Sequence, residues 1–240
     1  MEKGNGKQEK GRNGESSFAA LRRDKHGARD REQVKSNPEP GTQNLEPRTS
    51  IKAVFLDRDG TINIDQNGYI NNPDDFELFP FAAEAISILN KLDYLVFVVS
   101  NQSGITRGYF TIEELEAIHQ KMNNCLERSG AKIDEIYFSP YHIEGKVEPY
   151  NIHHEDRKPG LGMFKKALKK YHFEIKKSFM VGDRYSDIVF GKKAGLTTIL
   201  LLTGFGKDIF YHDRKKWEYQ PDFVVKDLLV AAKSIEKLGK

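Results

Sequence analysis

The sequence points to an α/β protein: a doubly wound, mainly parallel sheet with helices on both faces and no large cap domain. Three observations carry that expectation. From residue 51 onward, strand-like and helix-like segments alternate. Two of the strand segments, 94–100 (YLVFVVS) and 197–202 (TTILLL), are unbroken apolar runs, as expected of strands covered on both faces. The polar residues of chemical interest gather where strand segments end, and ligands of such sheets bind at the carboxyl ends of the strands.

The elements follow in order. Residues 51–56 read as the first strand. Residues 81–92 carry Ala82, Ala85, Ile86 and Leu89, a helical stripe. The apolar strand 94–100 comes next. Residues 111–128 form the clearest helix, with Thr111 and Glu114 as a capping box. Leu115, Ile118, Met122 and Leu126 are its buried stripe, and Gly130 is its stop. Residues 133–138 are a third strand. Residues 161–171 are a helix with Phe164, Leu168 and Tyr171 on one face. A short strand at 178–181 leads to a short helix at 187–194, closed by Gly195. Residues 197–202 and 222–225 are further strands, and 228–238 is the last helix. No internal repeat is present.

Residues 1–50 read differently, as a disordered basic and polar tail. They are rich in Gly, Glu, Lys, Arg, Asn and Gln and poor in large apolar residues. Such a segment cannot repay its ordering entropy. Pro38, Pro40, Gly41 and Pro47 mark its end. The 240-residue chain holds 38 basic and 35 acidic side chains, a formal +3. The first 50 residues hold 11 and 8 of them, so residues 51–240 are neutral. A neutral domain gives no electrostatic case for a nucleic-acid partner. The single Cys125 excludes an intrachain disulfide framework and a cysteine-rich zinc site. No apolar run approaches the ~18–20 residues of a membrane span, and the amino terminus lacks the apolar core of a secretory signal. A cytoplasmic monomer with no membrane partner is expected.

Four polar clusters carry the chemistry. Asp57 and Asp59 follow the first strand, at positions i and i+2. Two carboxylates held together at a strand end repel each other unless a cation or proton offsets the charge. Ser100-Asn101-Gln102-Ser103-Gly104 follows the second strand. Arg157-Lys158-Pro159-Gly160 precedes a helix. Gly182-Asp183-Arg184-Tyr185-Ser186-Asp187 follows another strand. Each cluster alone has a plainer reading: a surface acid pair, a helix cap, a helix start, a turn. Their conjunction on one side of the sheet points to phosphoryl transfer. Asp57 would attack phosphorus as a carboxylate nucleophile. Asp57 and Asp183 offer the hard oxygens that Mg²⁺ prefers. Lys158 would neutralise phosphoryl oxygens, and Ser100 would donate to the transferring group. Asp59 fits the acid that protonates the leaving alcohol and later deprotonates water.

DRDGTIN (57–63), SNQSGITRGYF (100–110), DRKPGLGMF (156–164) and GDRYSDI (182–188) resemble the four motifs of the haloacid dehalogenase-like (HAD-like) phosphatases. The resemblance covers nearly all of 51–240 and implies that superfamily's Rossmann-like fold. More narrowly, the motifs are similar to those of the D,D-heptose 1,7-bisphosphate phosphatases and the sister histidinol phosphatases; SGITRGYF looks like the heptose branch. The resemblance implies that Asp57 is the nucleophile and Asp59 the acid/base. It implies Mg²⁺ held by the Asp57 side chain, the Asp59 backbone carbonyl and Asp183. Ser100 and Lys158 would stabilise the phosphoryl group. Asp65, Gly68, Tyr69, Asn101, Gln102, Ser103, Arg157 and Arg184 would contact substrate, and Asp187 would support Lys158 or a metal-bound water. The implied substrate is a small phosphorylated sugar, the heptose 1,7-bisphosphate, with histidinol phosphate as the alternative.

One stretch departs from the family pattern. Relatives commonly hold zinc in a Cys- and His-bearing loop before the RKP motif. Here that stretch reads Ser139-Pro140-Tyr141-His142 and then His153-His154-Glu155-Asp156. It has no cysteine, so structural Zn²⁺ is not expected. Only 43 positions separate Asp57 from Ser100, too few for a sizeable cap.

Overall fold

The computed structural model describes residues 51–65 and 69–239. The expected tail at 1–50 and the substrate contact expected of Gly68 lie outside the described residues. The elements are β1 (Lys52–Leu56), α1 (Ala82–Lys91), β2 (Tyr94–Asn101), α2 (Gly104–Arg107), α3 (Ile112–Glu127) and β3 (Glu135–Ser139). They continue with α4 (Gly162–Lys170), β4 (Phe179–Gly182), α5 (Tyr185–Ala194), β5 (Thr197–Leu201), α6 (Gly206–Asp213), β6 (Phe223–Val225) and α7 (Leu228–Leu238).

Among the described residues the sheet has six strands in the order β3-β2-β1-β4-β5-β6. Every pairing is parallel. The chain runs outward from β1 through β2 to β3, then returns to β4 and runs outward the other way. The direction reverses between β1 and β4, and such a reversal opens a crevice at the carboxyl ends of the two strands.

Alternation along β1 explains the two covered faces. Val54 and Leu56 point to one side and join Val96, Val98, Val181 and Leu201 under α1 and α7. Ala53 and Phe55 point to the other and join Phe97, Val99 and Met180 with residues of α4 and α5. Phe55 sits at the centre of that second layer, with the rings of Phe97, Phe164 and Phe173 at 5.1, 5.5 and 5.7 Å. No helix among the described residues is long and apolar enough to cross a membrane.

The capping box forms as expected. Thr111 Oγ1 accepts from Glu114 N–H at 3.2 Å, and Glu114 accepts from Thr111 N–H at 2.7 Å. α5 begins two residues before the expected 187, because Asp187 caps from its third position by accepting Arg184 N–H at 2.9 Å. Two helices were not foreseen. α2 is one turn, stopped by the left-handed Gly108. In α6 only Gly206 is buried, so no apolar stripe marks it in the sequence.

Candidate active site

Two neighbouring central strands deliver the acids. Asp57 follows β1 and Asp183 follows β4, and both are buried. The Asp57 N–H donates to Val181 O at 2.9 Å, which carries the parallel pairing one residue past the strand. Asp187, in the first turn of α5, is fully buried as well. One carboxylate oxygen from each of these three lies within 4.8 Å of the others.

Lys158 reaches into the same space. Its Nζ lies 3.0 Å from Asp57 Oδ1 and 2.7 Å from Asp187 Oδ1, and donates to Val99 O at 2.6 Å. Burial opposes the ammonium charge, but Asp187 and Asp57 outweigh it and hold the Lys158 pKa above its ordinary value. One ammonium cannot neutralise three carboxylates. Burial pushes Asp57 up to about 6; Lys158 pulls against it, while Asp187 and Asp59 add repulsion. Asp183 is raised well above the usual range by burial and by the charges of Asp57 and Asp187.

The donor set fits a divalent cation. Asp183 Oδ2 accepts Phe205 N–H at 2.8 Å, but the buried Oδ1 has no hydrogen-bond partner among the described residues. A buried carboxylate oxygen left without a donor is costly. Clustered hard oxygens of this kind suit Mg²⁺. The backbone around Asp183 leaves room only for its carboxylate. Gly60 and Gly204 both take positive φ, 77° and 52°, and a Cβ at Gly60 would lie 2.5 Å from Asp183 Oδ2.

Asp59 faces elsewhere. Its carboxylate is gripped by Arg58, with Nε to Oδ1 at 3.0 Å and Nη2 to Oδ1 and Oδ2 at 2.8 Å each. Gln102 Nε2 donates to Asp59 Oδ2 at 2.8 Å and Asn63 Nδ2 to Oδ1 at 3.1 Å. Burial would raise this carboxyl, but Arg58 and these amide donors hold it below the usual range. The acidic cluster therefore contains Asp57, Asp183 and Asp187, and not the Asp59 carboxylate; the ligand implied for Asp59 was its main-chain carbonyl.

The remaining expected residues fall around this centre. Ser100 is buried at the end of β2, and its Oγ accepts from Gln102 Nε2 at 2.7 Å. Asn101 gives both ends of its amide to the Lys158 main chain, at 3.0 and 2.9 Å. It thus fixes the loop that carries the lysine. Ser103 Oγ lies 3.2 Å from the Tyr69 hydroxyl, and the Tyr69 ring packs edge-on against Tyr109. Arg184 Nη2 is 3.5 Å from Asp65 Oδ2. Arg157 Nη1 donates to Tyr141 O at 3.2 Å. Burial lowers the Arg157 pKa, and the like charges of Arg107 and Arg184 add to the effect.

The loop that departs from the family pattern lines a cavity of about 260 Å³ beside Arg157 and Lys158. Two of its three histidines serve the backbone: His142 Nδ1 accepts Glu144 N–H and His154 Nδ1 accepts Asp156 N–H, both at 3.1 Å. The His154 ring stacks on Tyr141 at 3.9 Å. Sequence reasoning gave Asp187 only a supporting part, and it missed Arg58, Asn63 and His119 altogether. Asn63 was legible as part of DRDGTIN; His119 had no motif around it.

A buried aspartate at one strand end, a second from the neighbouring strand and a buried lysine at the switch point together indicate a class, the HAD-like hydrolases. A family model described as HAD-hydrolase-like matches residues 156–231. A D-glycero-beta-D-manno-heptose-1,7-bisphosphate 7-phosphatase of Pasteurella multocida is 41% identical over 169 residues, which span 70% of this chain and 90% of that one. A D-glycero-D-manno-heptose-1,7-bisphosphate 7-phosphatase of Thermosynechococcus vestitus is 37% identical over 187 residues, 76% of this chain and 94% of that one. The crystal structure of a D,D-heptose 1,7-bisphosphate phosphatase from B. bronchiseptica, complexed with magnesium and phosphate, superposes with a TM-score of 0.69 at 28% identity. It covers 78% of this chain and 99% of that one. The chain belongs to the family of these heptose-bisphosphate phosphatases, within the HAD-like phosphatases.

Proposed function

We propose that this chain hydrolyses the 7-phosphate of D-glycero-D-manno-heptose 1,7-bisphosphate through an aspartyl-phosphate on Asp57. The observation that carries the reading is the buried group of Asp57, Asp183, Asp187 and Lys158 at the switch point, in a chain 41% identical to a phosphatase of that name. Asp57, Asp183 and the Asp59 carbonyl would hold Mg²⁺, with Asp187 beside them. Bound there, the cation neutralises phosphate charge and aligns the attack.

The chain's own groups then divide the work. An Asp57 oxygen attacks phosphorus, and the P–O bond to the C7 oxygen breaks. Asp59, held ionised by Arg58, Gln102 and Asn63 in the structure, would first take up a proton as substrate binds and then give it to that oxygen. Asp59, now a carboxylate, takes a proton from the water that attacks the phosphorus of the acyl phosphate. Inorganic phosphate leaves and Asp57 is restored. Lys158 is 3.0 Å from the nucleophilic carboxylate, so it reaches phosphoryl oxygens bonded there. Ser100 Oγ donates to the same group.

Substrate recognition falls to Asp65, Gly68, Tyr69, Gln102, Ser103, Arg157 and Arg184, with Asn101 acting through Lys158. Arg157 feels the charges of Arg107 and Arg184. Arg157 and Arg184 would serve the second phosphate by charge-assisted hydrogen bonds, a partner that guanidiniums suit better than the ammonium of histidinol phosphate. That favours the bisphosphate over the alternative. We further propose that residues 51–240 suffice for catalysis without structural Zn²⁺, and that the protein works as a cytoplasmic monomer with residues 1–50 as a tail. Phosphate release from the two substrates, with Asp57→Asn as control, tests the assignment. Release from neither would overturn it.

A further inference from the structure

We propose that His119 is a positioning residue for this reaction, holding the Arg58 guanidinium from behind and thereby fixing the aim of Asp59. The inference rests on the phosphatase reading above, in which Asp59 is the acid/base.

Arg58 is fully buried. A buried guanidinium needs an acceptor for each of its N–H groups. Nε and one Nη take the Asp59 carboxylate, and Nη2 also lies 3.3 Å from Gln102 Oε1. Nη1, on the far side of the fork, faces His119 Nε2 at 3.3 Å. A guanidinium has no lone pair to offer, so the ring nitrogen must be the acceptor. His119 is therefore neutral, with its proton on Nδ1. It is 7% exposed on α3, its ring tilted against Phe138. The turns around it are anchored by Leu115, Ile118 and Met122.

Without that acceptor the Nη1 hydrogen that His119 takes is orphaned, and Arg58 gains by turning toward other oxygens. Any such turn opens the fork on Asp59. It also disturbs Gln102, whose amide donates to both Asp59 Oδ2 and Ser100 Oγ. His119 touches neither the acidic cluster nor the phosphoryl site, so its effect passes through Arg58. The plainer reading makes His119 only a satisfied core residue, whose loss costs stability and nothing more.

The test uses the full chain with Mg²⁺. His119→Leu should lower kcat by about 10- to 100-fold, part of the ~10²–10⁴ that acid–base catalysis contributes, with KM unchanged. His119→Gln, whose amide oxygen can accept from Nη1, should recover most of the loss. In an Asp59→Asn background His119→Leu should cost nothing further, the coupling expected of residues acting through one another. Nitrogen-15 NMR needs no turnover: His119 Nε2 should be unprotonated, and the Arg58 Nε–H should resist exchange in wild type and His119→Gln but not in His119→Leu. A protonated Nε2, an unchanged kcat in a folded His119→Leu, or an equal loss in the Asp59→Asn background would overturn the proposal. If wild type released no phosphate, the functional reading would fail, while the tautomer and the Arg58 protection would still decide whether His119 holds the fork.

Discussion

Asp183 faces two opposed demands. It is buried beside two other carboxylates, which destabilises the metal-free fold, and that same crowding suits the group to the proposed cation. Asp183→Asn should therefore raise the melting temperature without metal, since it removes a buried like charge. It should also abolish the rise that Mg²⁺ produces in wild type and cut kcat/KM by about 10²-fold or more, the scale of a lost charge-stabilising group. Calorimetry with and without EDTA reads the first two effects. The pH dependence has a definite sign. The Asp57 carboxyl in the folded chain is raised to about 6, above its unfolded value of 3.8. Its contribution to stability is present below the unfolded value and fades as pH rises through 6. At pH 5 protons compete with Mg²⁺ for Asp57; at pH 8 the carboxylates are charged and repel. The stabilisation by Mg²⁺ should therefore be larger at pH 8 than at pH 5. Equal shifts at the two pH values would contradict this electrostatic picture.

At the scale of elements, the site depends on how strands end. Gly60 turns the chain after β1 at a φ of 77°, against Asp183. Gly60→Ala should cost about 1–3 kcal/mol from backbone strain alone, and more from the displaced carboxylate; urea unfolding measures it. Thr111→Ala removes one half of a capping box and should cost about 1 kcal/mol while leaving kcat unchanged. These elements also mark what the sequence could reveal. β2 and β5 were legible because a strand covered on both faces must be apolar throughout, and α3 because its stripe and cap agree. α6 was not, because none of its large apolar side chains is fully buried and they leave no period. The early start of α5 was hidden because its cap is Asp187 reaching back, not a residue ahead of the helix. Asp57, Lys158 and Asp183 could be read from their motifs. His119 could not, because its contact with Arg58 joins the turn after β1 to α3 across 61 positions and leaves no local spacing to detect.

For the whole molecule, one doubly wound sheet brings four separated motifs to one crevice. The strand order does this by placing β1 beside β4. Residues 51–240 should then carry the full activity. Removing residues 1–50 should leave both kcat/KM and the melting temperature unchanged; a large fall in either would give that segment a part in the enzyme. The departure in the 139–156 loop bears on the substrate, because it lines the cavity beside Arg157. The most direct measurement is phosphate release with Mg²⁺ from D-glycero-D-manno-heptose 1,7-bisphosphate and, in parallel, from histidinol phosphate, using wild type and Asp57→Asn. A strong preference for the bisphosphate, lost in Asp57→Asn, is the expected result. A preference for histidinol phosphate, or release that survives Asp57→Asn, would contradict the assignment.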